Sequence, residues 1–396
     1  MDIEAGVGFS EHRHPSTAVR EAFEQARTQL TGRRIDFAMV FVTVGHRLSL
    51  ILDALTEPLD DVPFIGCTAE GIISSAGITE GTHGIAVALF RSDRLRFVPF
   101  GVGGLRDSAE GVGHTLGQHL AHTLGQGGAK GLLALPDGLA FNFDAFMRGL
   151  SAHVSGELPL VGGMAGDNWR FAETRQFHGR DVFTDGIVGA LLVGDVQLHA
   201  AVTHGMAPLG NQRTVTRATG NVIEEVDGKP ALGEIKAYLG FDLDEADWAR
   251  GLTELAVGLR RDEPAGDDDD LFTIRFMPVI DEERGTVTIP TEIAPGEQFW
   301  IMRRDVDRMR EGVDRMIHKL KLGLDSAPPA FVLHFDCAGR GKVFLSAEEK
   351  AELLDRLRSG VADDAPWIGM YSYGELAPVE QENHYHSYTA AVVAVR

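Results

Sequence analysis

The stretch Pro366–Pro378 reads P-W-I-G-M-Y-S-Y-G-E-L-A-P. It opens as an apolar run and closes in a polar loop carrying Tyr371, Ser372, Tyr373, Gly374 and Glu375. Its Pro-x-x-Gly start recurs at Pro63-Phe64-Ile65-Gly66 and at Pro159-Leu160-Val161-Gly162. In each copy two apolar residues separate Pro from Gly, and small or polar residues follow. Internal self-similarity is settled before anything else, because a missed repeat mis-assigns the whole fold.

Working outward, the same sequence of elements flanks every copy. Apolar runs lie upstream at Phe37–Thr43, Gly131–Asp137 and Ala330–Asp336. Helical periodicity follows each of them, at Leu48–Leu55, Phe143–Val154 and Ala347–Arg358. Earlier still come a short apolar run and an amphipathic helix: Gly6–Phe9 with Ser16–Leu30, Leu95–Val102 with Ser108–Leu124, and Gln298–Met302 with Val306–Leu322. One more strand closes each copy, at Gly84–Phe90, Gly186–Val193 and Thr389–Val395. Short apolar runs alternating with helical periodicity specify α/β layers. The expected fold is α/β, with mixed sheets and outer helices built from three similar β-α-β-α-β-β units. A pseudo-threefold arrangement would bring their loops together.

Residues 199–297 do not fit the repeat and are expected to be an insertion before a third unit that starts near Gln298. Within it, Asp227-Gly228 signals a turn. Pro230 starts a short helix with Leu232, Ile235 and Leu239 at helical spacing and Gly240 as its stop. Phe272–Met277 and Thr286–Ile289 have strand character, and Asp262–Asp270 is an acidic, solvated loop without calcium-loop spacing.

With 396 residues, 44% of them hydrophobic and 24% charged, the chain can bury a large core. A formal net charge of −21 argues against nucleic acid and anionic membranes as general partners. No run reaches the ~18 apolar residues of a membrane span, and Met1–Gly6 does not open a secretory leader. Two cysteines far apart in sequence make neither a disulfide framework nor a zinc finger. A soluble protein of the reducing cytoplasm is the expectation.

In open α/β sheets, ligands bind beyond the carboxyl ends of the strands. The loops there hold the unusual residues. Cys67, Thr68 and Glu70 lie in C-T-A-E-G; Asp137 precedes Gly138; Asp167 and Asn168 close G-M-A-G-D-N; Cys337 and Arg340 lie in D-C-A-G-R-G. Arg340 has the fork geometry to clamp a carboxylate or phosphate. Asp167 and Glu375 suit an ammonium group, and Tyr371 and Tyr373 offer aromatic walls with polar tips. Together they would suit a zwitterion such as an amino acid. The competing account is structural: glycines for close packing, and Arg340 paired with a buried carboxylate.

Cys337, with Arg340 and His334 near it in sequence, is the candidate nucleophile if the protein is an enzyme, although no Cys-His-Asn order is present. Gly101-Val102-Gly103-Gly104 fails as a dinucleotide fingerprint, because Arg106 stands where the third glycine belongs. No phosphate-binding G-x-x-x-x-G-K loop occurs. His384-Tyr385-His386 and His12-Arg13-His14 place pairs of imidazoles on one strand face, a weak metal signal. Neither metal nor cofactor is expected.

Taken in order, these motifs resemble the FIST (F-box and intracellular signal transduction) sensory family, with its N and C modules together over about residues 35–395. The N-module resemblance rests on I-G-C-T-A-E-G at Ile65–Gly71 and V-G-G-M-A-G-D at Val161–Asp167. G-x-x-P-L-G, V-T-x-A-x-G-N at Val215–Asn221 and E-V-D-G-K-P-A-L carry the junction. C-A-G-R-G at Cys337–Gly341 and I-G-M-Y-S-Y-G-E-L-A-P carry the C module. One departure is His386-Ser387-Tyr388-Thr389, where the family often has His-Asn-x-Thr.

The resemblance implies an N-type module over 1–220 and a C-type module over 221–396. It implies a small-ligand sensor, with amino acids or related metabolites as the proposed ligands. Since these modules leave no room for an output domain, the signal would pass to a separate partner protein. The ligand-binding set would be Cys67, Thr68, Glu70, Asp137, Asp167, Asn168, Cys337, Arg340, Tyr371, Tyr373, Glu375 and His386. Two alternatives stand beside it: a thiol- or carboxylate-dependent hydrolase, and a protein-interaction scaffold.

Overall fold

The computed structural model describes residues 3–154, 157–239, 254–260 and 271–396. The expected acidic loop Asp262–Asp270 and the helix stop at Gly240 lie outside these residues. The three Pro-x-x-Gly segments form strands Phe64–Ala69, Leu160–Gly163 and Trp367–Ser372. Each pairs in parallel with the apolar run before it: Phe37–Thr43, Ala129–Pro136 and Phe331–Cys337 respectively. The registers coincide, with Gly66 opposite Val40, Gly162 opposite Ala134 and Gly369 opposite His334. A Cβ at those glycines would sit 1.9, 1.8 and 1.6 Å from the facing carbonyl oxygens. The motif repeats because the neighbouring strand passes too close for any side chain.

Strand alternation then divides each sheet into two faces. Phe37, Met39 and Phe41, Leu133 and Leu135, and Phe331, Leu333 and Phe335 all point into one shared central core. The alternate residues, such as Ala38, Val40, Val42, Leu132 and Val332, face the outer helices. Those helices pair up on each sheet: Pro15–Arg27 with Leu48–Leu59, Leu105–Gly125 with Phe143–Ser151, and Val306–Gly323 with Ala347–Val361. Their starts follow ordinary capping chemistry. Asn142 and Asp305 cap through their side chains, and Ser346 with Glu349 forms a full capping box.

Each of the three sheets has six strands, and each borrows its last two. The first unit's hairpin, Gly71–Ser74 with Ile78–Thr79, extends the third sheet along Trp367–Ser372. The second unit's hairpin, Gln176–His178 with Asp181–Phe183, extends the first sheet along Phe64–Ala69. The third unit's hairpin, Glu375–Val379 with Glu382–His386, extends the second sheet along Leu160–Gly163. The exchange runs once around a ring of three.

The insertion begins and ends later than the sequence suggests. The third unit's first strand is Leu198–Thr203, paired with Ala390–Val395 at the edge of the third sheet. Gln298–Arg304 instead pairs with Met206–Thr219 and Leu255–Arg260 in a fourth, antiparallel sheet. Both stretches are short apolar runs that precede the same helix, Val306–Gly323, so composition cannot tell them apart. The fourth sheet also holds Val222–Val226, Phe272–Arg275, Val279–Asp281 and Thr286–Thr288, and Pro230 leads into the helix Ala231–Lys236 that packs on it. Among the described residues, no helix is long and apolar enough to cross a membrane.

Candidate ligand-binding site

A cavity of about 510 Å³ opens where the strand ends of the second and third units meet the inserted sheet. This is within the size range of small-molecule sites. Its second-unit wall is Gly138–Asn142 after strand Ala129–Pro136, with Met164, Trp169 and Phe171. The third unit supplies Cys337, Ala338, Gly339, Ser372, Tyr373, Tyr385 and Tyr388, and the inserted sheet roofs the space with Asn221, Phe276, Pro278, Val279, Ile289 and Pro290. Aromatic rings dominate. Phe171 stacks on Tyr373 at 4.9 Å, and Trp169 meets Phe171 edge-on at 5.8 Å. Among the described residues, none of the lining side chains carries a charge.

Carboxylates just behind the wall hold these rings in place. Asp167 accepts hydrogen bonds from the amides of Arg170, Phe171, Ala172 and Glu173 and from the Tyr373 hydroxyl at 2.6 Å. Burial works to raise its pKa, but the Tyr373 hydroxyl and these amides prevail and hold it below the ordinary carboxylate range. The loop they fix carries Asn168, Trp169 and Phe171 at positive φ, a conformation that non-glycine residues keep only when their surroundings enforce it. Glu70 accepts from the Trp169 amide at 2.9 Å, and burial pushes its carboxyl pKa up. Asn168 accepts from Lys342 Nζ at 3.2 Å. Asp137 is fully buried and accepts from Thr174, with Arg106 4.0 Å away; burial raises its pKa too.

Glu375 stands behind Ser372, which lines the cavity. Ser372 Oγ lies 2.8 Å from Glu375 Oε1 and 3.2 Å from the Asp336 carbonyl. A hydroxyl has one proton and cannot donate to both. The arrangement closes when Glu375 is a neutral acid that donates to Ser372, while Ser372 donates to the carbonyl. Burial, with the other Glu375 oxygen unpartnered, drives the carboxyl the same way, well above its ordinary range. The Cys337 thiol is pushed up by burial first and also by the charge of Asp336.

The remaining candidates lie elsewhere. Cys67 is in the central core, its Sγ 3.5 Å from Met370 Sδ, and burial raises its thiol pKa. Thr68 accepts from the Arg175 amide on the wall of a separate, smaller cavity. Arg340 is buried, with Nε 2.7 Å from Asp336 and NH1 2.9 Å from the His204 carbonyl. Burial alone would raise Asp336, but Arg340 and His334 outweigh it and keep the pKa low. This guanidinium is thus committed to the fold, as the structural account of it holds. Tyr371 packs against Ile73 and Leu354. His386 sits in the third hairpin with Nε2 3.1 Å from the Ala377 carbonyl, its pKa pulled well down by burial.

Several lining residues escaped the sequence reading. Trp169 and Phe171 directly follow the D-N pair that was singled out, and their aromaticity was the available signal. Tyr385 and Tyr388 flank His386, which the sequence singles out in their place. Phe276 and the prolines of the inserted sheet gave no local sign of facing a cavity. Arg275 fastens that sheet to the third hairpin, donating to the Tyr385 carbonyl at 2.7 Å and to Thr291 at 2.8 Å. Burial lowers its pKa to about 10, so it stays charged at neutral pH. Ser387, at the departure from His-Asn-x-Thr, gives its amide to the Ile274 carbonyl.

An uncharacterized protein of Mycobacterium tuberculosis is 29% identical over 401 residues, covering 98% of each chain. A second from Mycobacterium bovis is 27% identical over 405 residues, covering 98% of this chain and 97% of its own. A Methanocaldococcus jannaschii protein is 26% identical over 237 residues, 55% of this chain and 45% of its own. A chorismatase crystal structure aligns over 100% of this chain and 99% of its own at 9% identity and a TM-score of 0.38, too low to carry an argument. The FIST N domain matches residues 36–229 and the FIST C domain residues 231–378. With both domains present in order, the chain belongs to the FIST family of sensory, signal-transduction domains.

Proposed function

We propose that the protein is a cytoplasmic small-ligand sensor whose ligand occupies the aromatic cavity between the second unit, the third unit and the inserted sheet. One observation carries the proposal: a cavity of about 510 Å³ lined by seven aromatic side chains and no charged one among the described residues. Such a lining favours a flat, largely uncharged organic molecule, anchored by stacking and oriented by a few polar groups. Within the amino-acid class expected from the family resemblance, this favours an aromatic derivative over a free zwitterion, whose charges would lie against apolar walls. Because the roof belongs to a different sheet from the floor, ligand contacts can bias the inserted sheet against the three-unit body, a surface a partner protein can read. The two free cysteines suit a reducing compartment.

A thiol hydrolase is the less favoured alternative, since burial and the neighbouring Asp336 carboxylate keep Cys337 protonated at neutral pH. The test is a thermal-shift and tryptophan-fluorescence screen of small aromatic metabolites on the full chain. A binder should raise the melting temperature and change Trp169 emission without turnover. Trp169→Ala should weaken it roughly 10- to 100-fold. Charged zwitterions binding better than aromatics, or Trp169→Ala leaving affinity intact, would overturn the assignment of this cavity.

A further inference from the structure

A second cavity, of about 140 Å³, lies one unit back around the ring. It occupies the same position relative to the first unit that the aromatic cavity occupies relative to the second. Val42–Val44 and His46 follow strand Phe37–Thr43, Thr68 comes from the paired strand, and the far wall is the next unit's loop from Asp167 to Arg175. At the third such position Glu80 fills the space, bonded by Lys350 and by the Lys342 amide. The chain thus has three related strand-end positions: one wide and aromatic, one plugged, and one small and polar.

The small one has a particular set of unmet groups. His46 is only 6% exposed, and its Nε2 lies 2.8 Å from the His83 carbonyl. A carbonyl accepts only, so Nε2 carries the hydrogen and Nδ1 presents a lone pair. That Nδ1 is buried without a partner, which is unfavourable unless a ligand or water donates to it. Burial lowers the His46 pKa, consistent with a neutral ring. Leu48, also on the wall, begins a 12-residue helix with no side-chain cap; the Leu50 amide is bonded to the Arg47 carbonyl, which leaves the Leu48 and Ser49 amides to meet an anion. Arg170 lines the cavity, and its guanidinium forms no ion pair among the described residues. The two carboxylates on the wall are already occupied, Asp167 by its four amides and Tyr373, and Glu173 by Arg175.

We propose that this cavity is a second ligand site for a small oxyanion that carries a hydroxyl, either a hydrogenphosphate or a short hydroxycarboxylate. Its charged oxygens face Arg170 and the helix amides, and its hydroxyl donates to His46 Nδ1. At the ~30 Å³ that a water occupies in the liquid, the volume admits roughly five heavy atoms, the size of orthophosphate or glycolate. The assignment does not depend on what the aromatic cavity binds.

Sulfate provides the discriminating control, since it matches phosphate in size and charge but has no hydroxyl at neutral pH. Calorimetric titration of the full chain with inorganic phosphate, glycolate and sulfate should show phosphate or glycolate saturating one site. Sulfate should bind about 10-fold more weakly or worse, because it leaves the imidazole lone pair unmet. Saturation by phosphate alone identifies a phosphate-type ligand, and by glycolate alone a hydroxycarboxylate. Arg170→Ala, a change to an exposed side chain, should weaken the preferred ion about 10-fold while the ligand-free melting temperature stays put. His46→Phe should bring its affinity down to that of sulfate. The site is refuted if neither ion saturates, if sulfate binds equally well, or if Arg170→Ala titrates like the parent protein.

Discussion

The hydroxyl of Tyr373, in the third unit, donates to Asp167, in the second, at 2.6 Å and accepts from the Trp169 amide at 2.8 Å. A single phenol therefore joins two units and sets the conformation of a loop shared by both cavities. Trp169 and Phe171 face the aromatic cavity, whereas Asp167, Arg170 and Glu173 face the small one. Tyr373→Phe keeps the ring and deletes the junction. It should cost about 1–3 kcal/mol by urea unfolding, as expected for a hydrogen bond to a charged group, and weaken ligands of both cavities. Unchanged stability and affinity would show that the four amides on Asp167 suffice.

The two carboxylates of this region should respond to pH in opposite directions. Glu375 has a raised folded-state pKa, so its contribution to stability is complete below the ordinary value of 4.5 and declines as pH rises toward the folded value. Asp167 has a lowered one; its contribution is present above the ordinary value of 3.8 and is lost as pH falls toward the folded value. Glu375→Gln mimics the neutral acid and should flatten the decline above the ordinary carboxyl range, with little loss at pH 5. Asp167→Asn should destabilise throughout the neutral range. Denaturant midpoints across pH for both variants provide the check, and a Glu375→Gln protein that is strongly destabilised at pH 5 would contradict a protonated Glu375.

Neither thiol should label quickly in the native protein. Cys67 is sealed in the central core, and Cys337 borders a cavity but is held protonated. Iodoacetamide at pH 7, followed by intact mass, should give slower modification than free cysteine until denaturant is added. Rapid native labelling of Cys337 would revive the enzymatic alternative.

Glycine at the strand crossings should be irreplaceable. Gly369→Ala places a methyl 1.6 Å from the His334 carbonyl, backbone that cannot swing aside. A loss of several kcal/mol, about 3 or more, is expected. Gly233→Ala is the control: this helical glycine has nothing within 4 Å of a new Cβ, so it should gain about 0.5–1 kcal/mol. Thermal unfolding of the two variants separates a steric requirement from a general intolerance of substitution.

The triplication was legible because each mark of it is local. Pro-x-x-Gly, the apolar runs and the helical stripes are all fixed by nearest neighbours in sequence. The edge strand Leu198–Thr203 was missed because membership of a sheet is decided by its partner, Ala390–Val395, almost two hundred positions away. The same limit applied to the site. Loops at strand ends pointed to Cys337 and Tyr373, which do line the cavity. Sequence could not reveal that Arg340 is spent on Asp336, that Cys67 turns inward, or that the roof comes from Phe276 and its neighbours. A charged residue beside glycines looks the same whether its partner is a ligand or a buried carboxylate.

The circular exchange of hairpins has a further consequence. Excising any one repeat would strip two strands from a neighbour's sheet and leave a hairpin of its own with nothing to pair. A lone repeat produced as a separate polypeptide could satisfy its edges only by trading hairpins with two others, in a closed ring of three chains. The linkers at 92–94 and 195–197 then chiefly tether copies that already complete one another, although Val196 is itself buried in the central core. Severing the chain there should yield fragments that reassemble into a noncovalent complex, and no fragment should be a stable domain alone.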